Sequence, residues 1–146
     1  MEKDTRVKLT VYRRFAETGS GPTADYVAES TGLEVTDVLD TYARLRMQRV
    51  LVLDGDGSSI RMAPPFSGVP TQHVVKAGGK EYFANCAWDA LGVIAALQIP
   101  GEVRSRCEQS GERLQLRVGL DGPEPSEWLF HCLIPAAKWW QDIVFT

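Results

Sequence analysis

Residues Ala63-Pro64-Pro65-Phe66-Ser67-Gly68-Val69-Pro70 place three prolines in eight positions. No regular helix passes through such a stretch, because each proline removes a backbone N–H and clashes with the preceding turn. A central strand is excluded too, since it would lose its ladder donors. The chain must therefore divide here, and the stretch reads as a linker that packs Phe66 against one of the two parts.

Ahead of the prolines the pattern is helix, helix, helix, hairpin. Val7, Val11 and Phe15 fall at four-residue steps on one helical face, ending near Gly19-Ser20-Gly21-Pro22. Thr23 can cap a second helix that Gly32 closes. A third is predicted over 35–49, with Val38, Tyr42 and Leu45 inward and Arg44, Arg46 and Arg49 solvated near its end. Val50 to Leu53 and Ile60 to Ala63 flank the turn Asp54-Gly55-Asp56-Gly57. This order is that of a winged-helix module, expected over residues 1–63.

Residues 64–80 are read as linker and first strand, with His73-Val74-Val75 extended and Ala77-Gly78-Gly79-Lys80 turning. Residues 81–146 are read as an α+β unit, a small mixed sheet around one buried helix. That apolar helix is predicted from Tyr82 to about Leu97 and is stopped by Pro100-Gly101. Strands are predicted at Arg113 to Val118 and at Trp128 to Ile134. The end, Ile143-Val144-Phe145-Thr146, reads as a tail strand pinned to the sheet or as a truncated boundary.

Composition removes several function classes. A formal net charge of −3 creates no field toward nucleic acid or anionic membrane. The would-be recognition helix opens with Glu34, Asp37 and Asp40, and the wing carries Asp54 and Asp56, the wrong sign for phosphate. There is no signal peptide and no apolar run of membrane-spanning length. Three widely spaced cysteines do not make a disulfide framework, so reduced thiols in the cytoplasm are expected. His73 and His131 lack zinc-ligand spacing, and no phosphate-binding glycine loop is present.

The chemistry concentrates in Asn85-Cys86-Ala87-Trp88-Asp89-Ala90-Leu91-Gly92. On a helix, a spacing of three puts Cys86 and Asp89 on one face, one turn apart. A thiolate binds a soft metal, and a neighbouring carboxyl can deliver a proton to whatever that metal carries. Free cysteine is ordinarily a core residue, but a carboxylate on a helix of Ala, Leu, Val and Ile needs a partner or a raised pKa.

This stretch resembles the Cys-x-x-Asp active-site helix of the organomercurial (alkylmercury) lyase family. Pro65-Phe66-Ser67 with Val69-Pro70-Thr71 upstream, and Cys107 with Ser110-Gly111 downstream, are similar as well. Trp139-Trp140-Gln141-Asp142-Ile143 resembles a segment of that family's shorter relatives. The resemblance implies a degenerate winged helix ahead of a catalytic α+β part. It implies that Cys86 is the first metal-binding thiol, that Asp89 handles the proton, and that Cys107 is structural. The family's second catalytic thiol corresponds to a position near Pro125. Cys132, on the predicted strand but several residues later, is the candidate second thiol and would join Cys86 and Asp89 in holding metal.

The activity so implied is protonolytic cleavage of a carbon–mercury bond. No cofactor is expected, a soft metal ion such as Hg(II) being substrate or product. The partners would be an organometal or metabolite and small thiols that carry product away. Two other readings stand beside it: a divergent homologue that binds metal or acts as a different lyase in small-molecule metabolism, and a winged-helix regulator sensing thiol-reactive metals.

Overall fold

The computed structural model describes residues 2–146. Its first part holds α1 (Lys3–Thr18), α2 (Ala24–Thr31) and α3 (Val35–Met47), in the order expected. Val7, Val11 and Phe15 are fully buried, so the four-residue step on α1 is a core stripe. Gly19 ends α1 in the left-handed region (φ 74°) and donates its N–H to the Phe15 carbonyl at 2.7 Å. The Thr23 hydroxyl accepts the Tyr26 N–H at 3.1 Å and starts α2. On α3, Val38, Thr41, Tyr42 and Leu45 face inward. Arg44 is exposed in the last turn of α3, as its position suggested. It grips Asp4 of α1 at 2.6 Å because the two helices lie side by side. Asp37 of α3 likewise pairs with Lys3 at 2.9 Å.

Next come β1 (Val52–Leu53), β2 (Ile60–Ala63) and β3 (Phe66–Ser67), an antiparallel sheet in that spatial order. The proline stretch thus supplies β3, an edge strand, the one strand position that tolerates flanking prolines. Phe66 is 3% exposed and packs against both parts rather than one. Its ring lies 5.4 Å from Phe15, nearly parallel, 6.4 Å from Tyr12 and 5.9 Å from Tyr82.

The second sheet comprises β4 (Val74–Ala77), β5 (Lys80–Phe83), β6 (Gly101–Arg106), β7 (Arg113–Gly119) and β8 (Gly122–Pro123), ordered β5-β4-β6-β7-β8. Every pairing is antiparallel, so the sheet is not mixed. The helix α4 (Ala87–Leu97) carries the chain from β5 to β6 over β4. The two strands it joins run the same way, but antiparallel β4 lies between them.

The predicted helix start also moves. Lys80 to Phe83 pair along β4 with Tyr82 pointing into the core, and α4 begins only at Ala87. Tyr and Phe fit the pleated surface better than a helix N-terminus. Ala90, Val93 and Ile94 bury α4 against β4, β6 and β7. One buried cluster, from Val7 to Val118, runs through both parts.

The predicted strand over 128–134 does not form, and Leu129 is 90% exposed. The adjacent edge, β8, is two residues long and ends in Pro123, which has no N–H to donate. Residues 143–146 are not a strand either: the Thr146 hydroxyl donates to the Trp139 carbonyl at 3.1 Å, after a 3-10 turn at Ala136–Gln141. No helix is long and apolar enough to cross a membrane among the described residues.

Candidate functional site

Asn85 and Cys86 occupy the turn between β5 and α4, where the backbone is extended and the next residue is helical. Cys86 (φ −154°, ψ 178°) is the N-cap of α4, not a residue of its first turn as the helical spacing had implied. Its Sγ accepts the Asp89 backbone N–H at 3.4 Å, satisfying one of the orphan donors at the helix start. The thiol and the carboxyl therefore do meet, but by capping geometry.

Both groups are half-buried. Burial pushes the Cys86 thiol up, against the N–H groups of Asp89 and Trp88, while the Asp89 charge adds to the rise. Burial likewise raises the Asp89 carboxyl, opposed by the amide of Asn85. Each group is tilted toward its protonated form.

The linker closes over this pair. Asn85 Nδ2 donates to the carbonyls of Pro65 (3.3 Å) and Phe66 (3.1 Å) and to Asp89 Oδ2 (3.0 Å). Tyr12 of α1 donates its hydroxyl to the Pro64 carbonyl at 3.1 Å. Three consecutive linker carbonyls are thus held, one from α1 and two from the start of α4. The Tyr12 hydroxyl is pushed up to about 12 by burial, and Asp89 contributes to that rise. At Gly92 the helix approaches the linker so closely that a Cβ there would sit 3.1 Å from Pro65 Cβ.

Asn85 and Tyr12 were not singled out from the sequence. Asn85 stands inside the motif, beside the cap, which is a usable signal. Tyr12 gives none, since its partner is 52 residues away.

Cys132 is exposed and donates its thiol to the Ile134 carbonyl at 2.8 Å. It is near enough to Cys86 to bear on that thiol's pKa. The link between their segments is the Trp88–Phe130 contact, with ring centroids 5.6 Å apart. Among the described residues no three Cys, His, Asp or Glu side chains converge at metal-holding distance. Cys86, Asp89 and Cys132 are therefore not a preassembled three-ligand set.

Cys107 begins the turn after β6, half-buried, with its N–H on the Glu112 carbonyl at 2.9 Å. The Ser110 hydroxyl and the N–H groups of Ser110 and Gln109 draw its thiol below the usual value. His73, given no role from its spacing, is buried with Nδ1 2.6 Å from Ser105 Oγ and Nε2 4.0 Å from Glu108. Two open surface depressions, of about 410 Å³ beside Gly78 and Gly79 and about 690 Å³ beside Pro123, include neither Cys86 nor Asp89.

The fold resembles that of a solved structure, the mercury-bound form of MerB2, with a TM-score of 0.65 at 23% identity. The likeness covers 87% of this chain and 61% of that one, so the chain spans about three-fifths of the length of the protein it matches. No curated protein matches the chain. The sequence model described as alkylmercury lyase matches residues 66–146, more than half of the chain and including the Cys86–Asp89 turn. On that match, and with the α+β architecture as expected, the chain belongs to the alkylmercury lyase family.

Proposed function

We propose that this protein cleaves the carbon–mercury bond of an organomercurial by protonolysis, using Cys86 to take the metal and Asp89 to move the proton. The observation that carries the reading is the thiol-capped helix start, where a half-buried sulfur and a half-buried carboxyl meet and both lean toward protonation.

When the Cys86 sulfur bonds to mercury, the thiol proton leaves, and Asp89 is the adjacent group able to accept or hold it. Asp89 then gives a proton to the carbon. The electron pair of the carbon–mercury bond becomes the new carbon–hydrogen bond, and Hg(II) stays on sulfur. Two thiolates hold a soft cation better than one, and Cys132 is the candidate for the second. Small thiols, abundant in a reducing cytoplasm, take the ion away.

Incubation with an arylmercurial and excess small thiol tests this. Wild-type protein should release the arene, Cys86→Ala should release none, and Asp89→Asn should bind mercury without release. Stoichiometric mercury binding by the wild type with no arene would defeat the reading.

One observation favours a second reading, a family member that binds metal or runs another lyase step on a metabolite. Cys132 is exposed and turned to its own Ile134 carbonyl, which leaves Cys86 without a fixed second thiol.

A further inference from the structure

We propose that Asn85 is the positioning residue of this site: it reads the linker's position through two carbonyls and transmits it to one oxygen of Asp89. The inference rests on the lyase reading only for what Asp89 does next; the arrangement itself is independent of it.

An amide Nδ2 has two protons, and here it faces three acceptors at 3.0–3.3 Å. One proton serves Asp89 Oδ2, and the other is shared between the Pro65 and Phe66 carbonyls. The side chain cannot be turned over, because Oδ1 would then oppose two carbonyls and leave both without a donor. The orientation is held although Asn85 Oδ1 is itself buried with no partner, an arrangement that ordinarily costs stability. A residue kept in place against that cost is being held by its other end.

The chemical consequence falls on Asp89. Oδ2 receives an N–H and is an acceptor, so Oδ1 is the oxygen free to carry a proton to the reacting carbon. Asn85 thereby selects which carboxyl oxygen does the work and fixes the ring of contacts that orients it. The linker reaches Asp89 through Asn85, and Tyr12, which holds the preceding carbonyl of Pro64, extends the same grip to α1.

Two measurements on the full chain test this. In NMR spectra of the Asn85 side-chain amide, Asp89→Ala should move one of its two protons strongly and leave the linker-bound one nearly in place. Equal, small movement of both would overturn the proposal, whether or not the protein is a lyase. In the arylmercurial assay, Asn85→Ala should lower kcat about 10- to 100-fold with KM little changed, the size expected for a misoriented proton donor. Wild-type kcat in a folded Asn85→Ala protein would equally overturn it. A wild type that releases no arene would instead sink the lyase reading alone, and the amide spectra would still decide the role of Asn85.

Discussion

Cys86 Sγ lies 3.4 Å from the backbone nitrogen of Asp89, so the sulfur proposed to take the metal is also the acceptor that starts α4. Metal capture and helix capping draw on one atom. Serine separates them, because a hydroxyl is a better cap but a poor ligand for a soft cation. Cys86→Ser should keep or raise stability, by up to about 1 kcal/mol, while weakening mercury retention. Urea unfolding and mercury titration on the same preparation check both halves. Loss of stability in that variant would show that the sulfur does something other than cap.

Phe66 ties the two parts of the molecule together through Phe15, Tyr12 and Tyr82. Phe66→Ala should cost about 3–5 kcal/mol, the range for removing a buried aromatic ring. The loss should appear in one cooperative transition followed by both far-ultraviolet dichroism and tryptophan fluorescence, since the tryptophans all lie in the second part. Two separated transitions would mean that the shared core is not a single cooperative unit.

His73 makes a pH-dependent contribution whose sign follows from its surroundings. Burial among β4 and β6 holds its pKa below the ordinary value, and the Glu108 carboxylate only partly offsets this. Below about pH 6.5 the unfolded chain therefore takes up a proton that the folded His73 refuses, and stability falls as pH drops. The wild type should lose urea resistance between neutral pH and pH 5 more steeply than His73→Asn. Parallel curves would mean that His73 takes up its proton as readily in the fold as in the unfolded chain.

Trp88 holds Phe130, and through it the segment bearing Cys132, beside the start of α4. If Cys132 supplies the second thiolate, Trp88→Ala and Cys132→Ser should each weaken Hg(II) retention, by about tenfold or more. The double variant should then be no worse than either alone, the signature of two residues acting through one interaction. Additive losses would mean that Trp88 acts independently of Cys132.

The sequence revealed most of this molecule wherever local periodicity and side-chain chemistry agree. Val7, Val11 and Phe15 announce α1, and Thr23 and Gly32 bracket α2, because the signal and the structure are both local. Cys86 and Asp89 were legible as a pair from their residue types. Their relation was misread because a spacing of three suits both a helix face and a cap, and only the pairing of Lys80 to Phe83 with β4 decides between them. The apolar run from Trp128 to Ile134 looked like a strand, but a strand needs a partner, and the short β8 edge offers none. Tyr12 and Asn85 were out of reach for another reason: their roles depend on carbonyls of the linker, and a carbonyl has no residue type to read.

The alkylmercury lyase match starts at Phe66, yet the ring of that first residue stacks on Phe15, and the Tyr82 hydroxyl ends on the Ala16 carbonyl at 2.7 Å. The recognisable portion thus borrows its wall from α1, a segment the match leaves out. Cutting the gene at the family boundary would expose Phe66 and strand Tyr82, and would take away both Tyr12 and the Pro64 carbonyl it holds. The smallest unit able to hold Asp89 in this arrangement is consequently larger than the part that names it, because the N-terminal helices share its buried core.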